Sequence, residues 1–151
     1  MSAQANVTAF DGAATPVVHT LLPVGASRTV DGTLLADWAE RIAALPLDAQ
    51  VQLSTRKRKL KNGQEQVSLS VKVPVMEAVS GQNSAGYTAA PSIAFEDLIV
   101  ITGYFSPRSA ETNRRLAMQL AANIFGGVST SVTPVTAGPA AELFQKGISA
   151  S

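Results

Sequence analysis

Cysteine is absent from the 151 residues. Disulfides and thiolate metal sites are therefore excluded, and the redox compartment is left open. Histidine occurs once, at His19, which rules out a multi-histidine metal centre or a His–His acid/base pair. Aromatic residues are few. The net charge is only +1, so any basic function must be local. No apolar run approaches a membrane span; the longest, Leu98 to Ile101, is strand-sized. The opening MSAQANVTAF has no basic segment followed by an apolar one, so no secretory signal is expected. A Gly-rich phosphate loop and a nucleophile elbow are also missing. Asp48, Glu65, Glu96 and Asp97 read as surface or sheet acids. The expectation is a protein with no catalytic residue, no metal and no cofactor.

What is present is a chain that should fold. Apolar residues make up 46%, too many for a disordered chain, and the length suits one domain over residues 1–151. The most informative stretch is Val51 to Pro74, VQLSTRKRKLKNGQEQVSLSVKVP. Two alternating runs flank Asn62-Gly63, a strong hairpin signal. Five of the twelve basic residues crowd its tip: Arg56, Lys57, Arg58, Lys59 and Lys61. A two-residue loop would set Leu53 opposite Lys72 and mix oily with polar side chains on both faces, which a half-buried sheet does not tolerate. A three-residue loop, Lys61-Asn62-Gly63 with Gly63 left-handed, removes the conflict. Val51, Leu53 and Thr55 then face Val73, Val71 and Leu69. Gln52, Ser54, Arg56 and Arg58 face Lys72, Ser70, Ser68 and Gln66 on the other side. That second face carries the side-chain types that donate hydrogen bonds to phosphates and bases. A solvated outer face with a charged, solubilising tip would use the same residues.

Around this hairpin, Val7–Phe10 and Pro16–Leu22 read as short strands, with Pro23, Gly25 and Ser27 in a connecting loop. His19 reads as an ordinary strand side chain, having no chemical partner near it in sequence. Leu34, Leu35, Trp38, Ile42 and Leu45 have helical spacing, Asp31 could cap that helix, and Trp38 suits a core anchor. Residues 74–91 form a long loop, a functional or mobile element in a small domain. Residues 93–102 make the best strand, with Ile93, Phe95, Ile99 and Ile101 on one face. Ser106-Pro107 is expected to open a helix with the stripe Leu116, Ala117, Leu120, Ala121 and Ile124, ended by Gly126-Gly127. A linker over 128–138 leads to a short helix from Pro139 to Lys146, and the tail behind it, Gly147 to Ser151, reads as loose or as a contact point. Strands first and helices last means α+β with an antiparallel sheet. Two helices cannot cover such a sheet, and the surplus oily surface calls for a partner, most simply a second copy.

This succession resembles the coat proteins of single-stranded RNA bacteriophages, the levivirus type. The likeness is carried in order by LLPVGAS, LLADW, VQLSTRKRK…QVSLSVKVP, the long loop, SIAFEDLIVITGYFS and SAETNRRLAMQLAANIF, over roughly residues 7 to 126. The resemblance implies an amino-terminal hairpin (7–22), a five-stranded antiparallel sheet (33–103) and two carboxy-terminal helices (106–146). It implies a strand where LLADWAERI reads as helical. It also implies an intertwined homodimer, an icosahedral shell of dimers around single-stranded RNA, and a virion assembled in the bacterial cytoplasm. In several members the inner face binds an operator hairpin and represses replicase translation. The resemblance implies neither a membrane nor a small-molecule substrate as partner.

Matched to this chain, the RNA-contacting positions are Gln52, Ser54 and Arg56, then Gln66, Ser68, Ser70 and Lys72, then Ala94 and Glu96, where the family more often has an aromatic and an amide. Arg58, Lys59 and Lys61 add charge beside them. Trp38, Leu116, Leu120 and Ile124 are assigned to the dimer interface. Gly81, Gln82, Asn83 and Gly86 lie in the loop between dimers. The competing reading is a cellular single-stranded RNA-binding module; such modules stack bases on exposed aromatics, and none is expected on this polar face.

Overall fold

The computed structural model describes residues 4–78, 86, 90 and 92–151. Six strands form one antiparallel sheet in chain order: β1 (Val7–Phe10), β2 (Val18–Arg28), β3 (Leu34–Glu40), β4 (Gln52–Lys59), β5 (Glu65–Met76) and β6 (Ile93–Phe105). The amino-terminal hairpin is thus not separate from a five-stranded sheet. The reason is β2, which does not stop at Leu22. It continues to Arg28 and pairs with β3, Leu21 opposite Glu40 and Ser27 opposite Leu35. Pro23 and Gly25 flank a register shift in this pairing. A bulge lets a proline, which has no N–H to give, remain within a paired strand.

β3 is a strand, as the resemblance implies and against the helical spacing. Its Ala36, Trp38 and Glu40 share one face by alternation, and all three are buried. Glu40 is accommodated there because His19 Nδ1, from β2, lies 3.1 Å from its carboxylate. Asp31 caps no helix. It closes the β2–β3 turn, where its carboxylate accepts from Thr29 Oγ1 and the Thr33 hydroxyl and Gly32 adopts φ +83°.

The β4–β5 hairpin has the three-residue loop. Leu60 N–H donates to Gln64 O at 2.8 Å, and Gly63 has φ +83°. Leu53 pairs with Val71 and Thr55 with Leu69. These side chains build the apolar face. One core cluster joins Leu21, Ala36, Trp38 and Leu53, with Val7, Leu69, Val71 and Ala150 packed against it. A second joins Val67 to Leu143 and Phe144, with Leu69, Phe105 and Met118 around it. Leu143 and Phe144 belong to the last helical segment, in which α2 (Pro139–Ala141) widens into a π-helical turn over Glu142–Lys146.

α1 spans Glu111–Phe125. It starts later than Ser106-Pro107 suggests, because residues 106–109 first make a turn in which Ser109 N–H donates to Ser106 O at 2.9 Å. Gly127, φ +62°, ends it as expected. The tail is not loose: Gln4 N–H donates to Ser151 O at 3.2 Å, and Ala150 covers the Trp38 cluster.

Candidate nucleic-acid interface

Alternation along β4 and β5 separates two chemistries. Odd-numbered residues face the helices. Even-numbered ones pair across the other side: Gln52 with Lys72, Ser54 with Ser70, Arg56 with Ser68, and Arg58 with Gln66. The structure therefore gathers these eight residues on one helix-free face. β6 extends that face with Leu98, Val100, Thr102 and Tyr104, opposite Lys72, Ser70, Ser68 and Gln66, and with Glu96 opposite Pro74.

Not every residue assigned to RNA lies there. Lys59 pairs with Glu65, and Lys57 with Val67, so both project from the helix side of the sheet. Lys57 Nζ is fully engaged on that side, ion-paired with Glu65 at 3.2 Å and donating to the Gly147 carbonyl. The TRKRK run reads as one basic patch in one dimension, and strand alternation splits it. Lys61 lies in the hairpin loop. Glu96 is on the polar face, but its carboxylate takes Lys72 Nζ at 2.9 Å, so the two charges cancel locally. Arg56 and Arg58 have no carboxylate partner among the described residues. They are exposed cationic charges of this face, and Arg41, beside Gln52 and Ser54, is another.

A shallow cavity of 460 Å³ opens beside Arg56 and Arg58, between the β2–β3 turn and β5. Asp31 forms its rim opposite Arg56, Arg58, Gln66 and Ser68. The Thr29 hydroxyl, and then the Thr33 backbone N–H, hold the Asp31 carboxyl below its ordinary value. The turn is therefore helped by ionised Asp31 above the usual aspartate range and loses that help as pH falls through the lowered value.

Sequence reasoning missed Tyr104. The strand was expected to end at Thr102, yet it runs to Phe105, and alternation from Leu98 carries the polar face through Tyr104. The side chain is 60% exposed. Its hydroxyl accepts from Gln66 Nε2 at 3.4 Å, and Gln66 Oε1 accepts from Arg58 Nε at 2.6 Å. Asp31 was seen in the sequence only as a candidate helix cap.

Trp38 is 1% exposed within one chain, in the core cluster of the sheet, and its indole N–H donates to Ala5 O at 2.9 Å. Leu116, Leu120 and Ile124 do form an exposed stripe along α1. Gly81, Gln82 and Asn83 lie outside the described residues, and Gly86 has φ +76°.

The structure is thus an antiparallel sheet with helices on one side, a polar face on the other and apolar surface exposed on α1 and β6. The family model for Levivirus coat protein matches residues 2–139, and the chain belongs to that family of structural capsid proteins, which are not enzymes. Among solved structures it is similar to the virus-like particle of bacteriophage EMS014, at 26% identity and TM-score 0.71 over 85% of this chain and 81% of that one. It is similar in fold to the virus-like particle of bacteriophage ESE058, at 19% identity and TM-score 0.69 over 97% and 98% of the two chains. The bacteriophage GA protein capsid is 16% identical, with TM-score 0.57 over 95% of each chain. No curated protein sequence matches the chain.

Proposed function

We propose that this chain dimerises, that its dimers close into a capsid shell, and that the polar face of the sheet packages single-stranded RNA inside the virion in the bacterial cytoplasm. The observation that carries the RNA part is the β4–β5 register. It gives a helix-free face two arginines without a carboxylate partner among the described residues and a band of Ser and Gln side chains. Arginine neutralises phosphate, and Ser and Gln add hydrogen bonds to backbone and bases. An operator hairpin would bind the same face.

The dimer part is supported by what one chain leaves open. β6 has no neighbour on its outer edge among the described residues, and Ile99, in mid-strand, is 67% exposed. A long apolar edge strand is a template for another strand. On the helix side an apolar groove of 750 Å³, floored by Leu53, Leu69 and Val71, matches in character the uncovered stripe of α1. A second copy, pairing through β6 and laying α1 into the groove, answers both exposures at once. A monomeric cellular RNA-binding module has no use for this surface.

Electron microscopy of the protein expressed alone in bacteria tests the assembly. Regular shells containing host RNA are expected. A stable folded monomer in light scattering at micromolar concentration would sink the dimer, and RNA-free shells would sink packaging.

A further inference from the structure

We propose that Tyr104 is a base-stacking platform for single-stranded RNA, set at the end of a hydrogen-bonded row Arg58–Gln66–Tyr104. The inference rests on the RNA-packaging reading and adds a residue and a mode of contact to it. The row crosses β4, β5 and β6 on one face, with Gln66 opposite both Arg58 and Tyr104. Among the residues of β4, β5 and β6, Tyr104 is the one aromatic on that face.

The ring is held and open at once. Gln66 Nε2 makes a long contact to its hydroxyl at 3.4 Å, and Arg58 Nε donates to Gln66 at 2.6 Å, while 60% of the residue remains exposed. A tyrosine has only two side-chain torsions to fix, so its ring loses little freedom when a base lies on it. The neighbouring residue shows the contrast. Phe105 points to the helix side and is fully engaged, edge-on to Phe144 at 6.3 Å and capped by the Arg114 guanidinium at 5.8 Å. Tyr104 has no such packing role to explain an aromatic there.

The charge is correctly spaced. Strands lie about 4.8 Å apart, so Arg58 is rooted roughly 10 Å from Tyr104, within reach of the phosphate of a base stacked on the ring. The 460 Å³ cavity on the far side of Arg58 has room for the adjoining nucleotide. Stacking tolerates every base because each has a π-face. Genome packaging needs such contacts at many unrelated sequences.

The test compares full-length wild type, Tyr104→Leu and Tyr104→Phe, with light scattering and circular dichroism as controls of assembly and fold. The probes are a single-stranded oligoadenylate and an abasic ribose-phosphate oligomer of equal length, in filter binding across a salt series. Tyr104→Leu is expected to lose roughly 5- to 150-fold in affinity for oligoadenylate. Its salt slope and its affinity for the abasic oligomer should not change, and Tyr104→Phe should stay near wild type. Equal losses on both oligomers, or no loss on either, overturn the platform while leaving RNA packaging intact. If wild type binds neither oligomer, the packaging reading itself falls and the platform with it. Should Tyr104→Leu not fold, RNA carrying 5-iodouridine can be photo-crosslinked to the wild type. A crosslink on Tyr104 supports the contact; crosslinks confined to other residues overturn it.

Discussion

Lys72 and Glu96 meet across β5 and β6 at 2.9 Å, with both side chains partly in water. Such a pair contributes little to stability, about 0–1 kcal/mol. If the polar face packages RNA as proposed, Glu96 holds a cation that would otherwise meet phosphate. Glu96→Gln should leave the fold intact and strengthen RNA binding several-fold. The salt dependence should steepen by about 0.7–0.9 log–log units for each phosphate that the freed Lys72 neutralises. Filter binding reads both numbers, and an unchanged slope would mean that Lys72 touches no phosphate. On the other side of the sheet, Gly103 is a residue that room explains. A Cβ there would sit 3.0 Å from the Phe105 ring and 3.2 Å from Phe144. Gly103 pairs with Val67, which is fully buried, so the helix side has no slack. Gly103→Ala should cost about 1–3 kcal/mol by overpacking. A denaturant midpoint equal to wild type would show that the Phe105–Phe144 contact shifts freely.

At the scale of elements, legibility followed how local the deciding contact is. The β4–β5 register could be read because the turn residues and the two-residue alternation both lie within 24 residues of sequence. β3 could not, since Leu34, Trp38 and Ile42 satisfy a helix as well as a strand, and an inward Glu40 makes sense only beside His19, 21 positions away. β2 hid its second half behind Pro23 and Gly25, residues that signal a loop until a bulge absorbs them. Lys57 looked like its basic neighbours, and its structural role shows only in its partners, Glu65 across the hairpin and Gly147 far along the chain. The helix stripe was legible from spacing alone, but what covers it was not. Leu120 is 53% exposed in one chain. If α1 seats on a partner, Leu120→Ala should cost about 2–5 kcal/mol, shared between folding and dimerisation because the two are linked. If the residue faces water in the particle, the variant will assemble and melt like wild type.

At the scale of the molecule, the proposed function divides between the two faces of the sheet. The helix face with the β6 edge holds the surface that calls for a second copy. The eight polar residues of β4 and β5 lie outside both core clusters, so the charges among them can be reversed without touching those clusters. Arg56→Glu combined with Arg58→Glu tests that separation. Both side chains are exposed and unpaired with carboxylates among the described residues, and both oppose Ser68 and Gln66 rather than any core residue. Circular dichroism and light scattering should therefore return a wild-type fold and dimer. RNA binding should fall strongly, with the salt slope shallower by about 0.9 units for each duplex phosphate no longer neutralised. A face that is merely solvated predicts otherwise: the double variant would package RNA with unchanged affinity and slope. The slope decides, because a general loss of stability lowers affinity at every salt concentration alike, whereas the loss of phosphate neutralisation changes its dependence on salt.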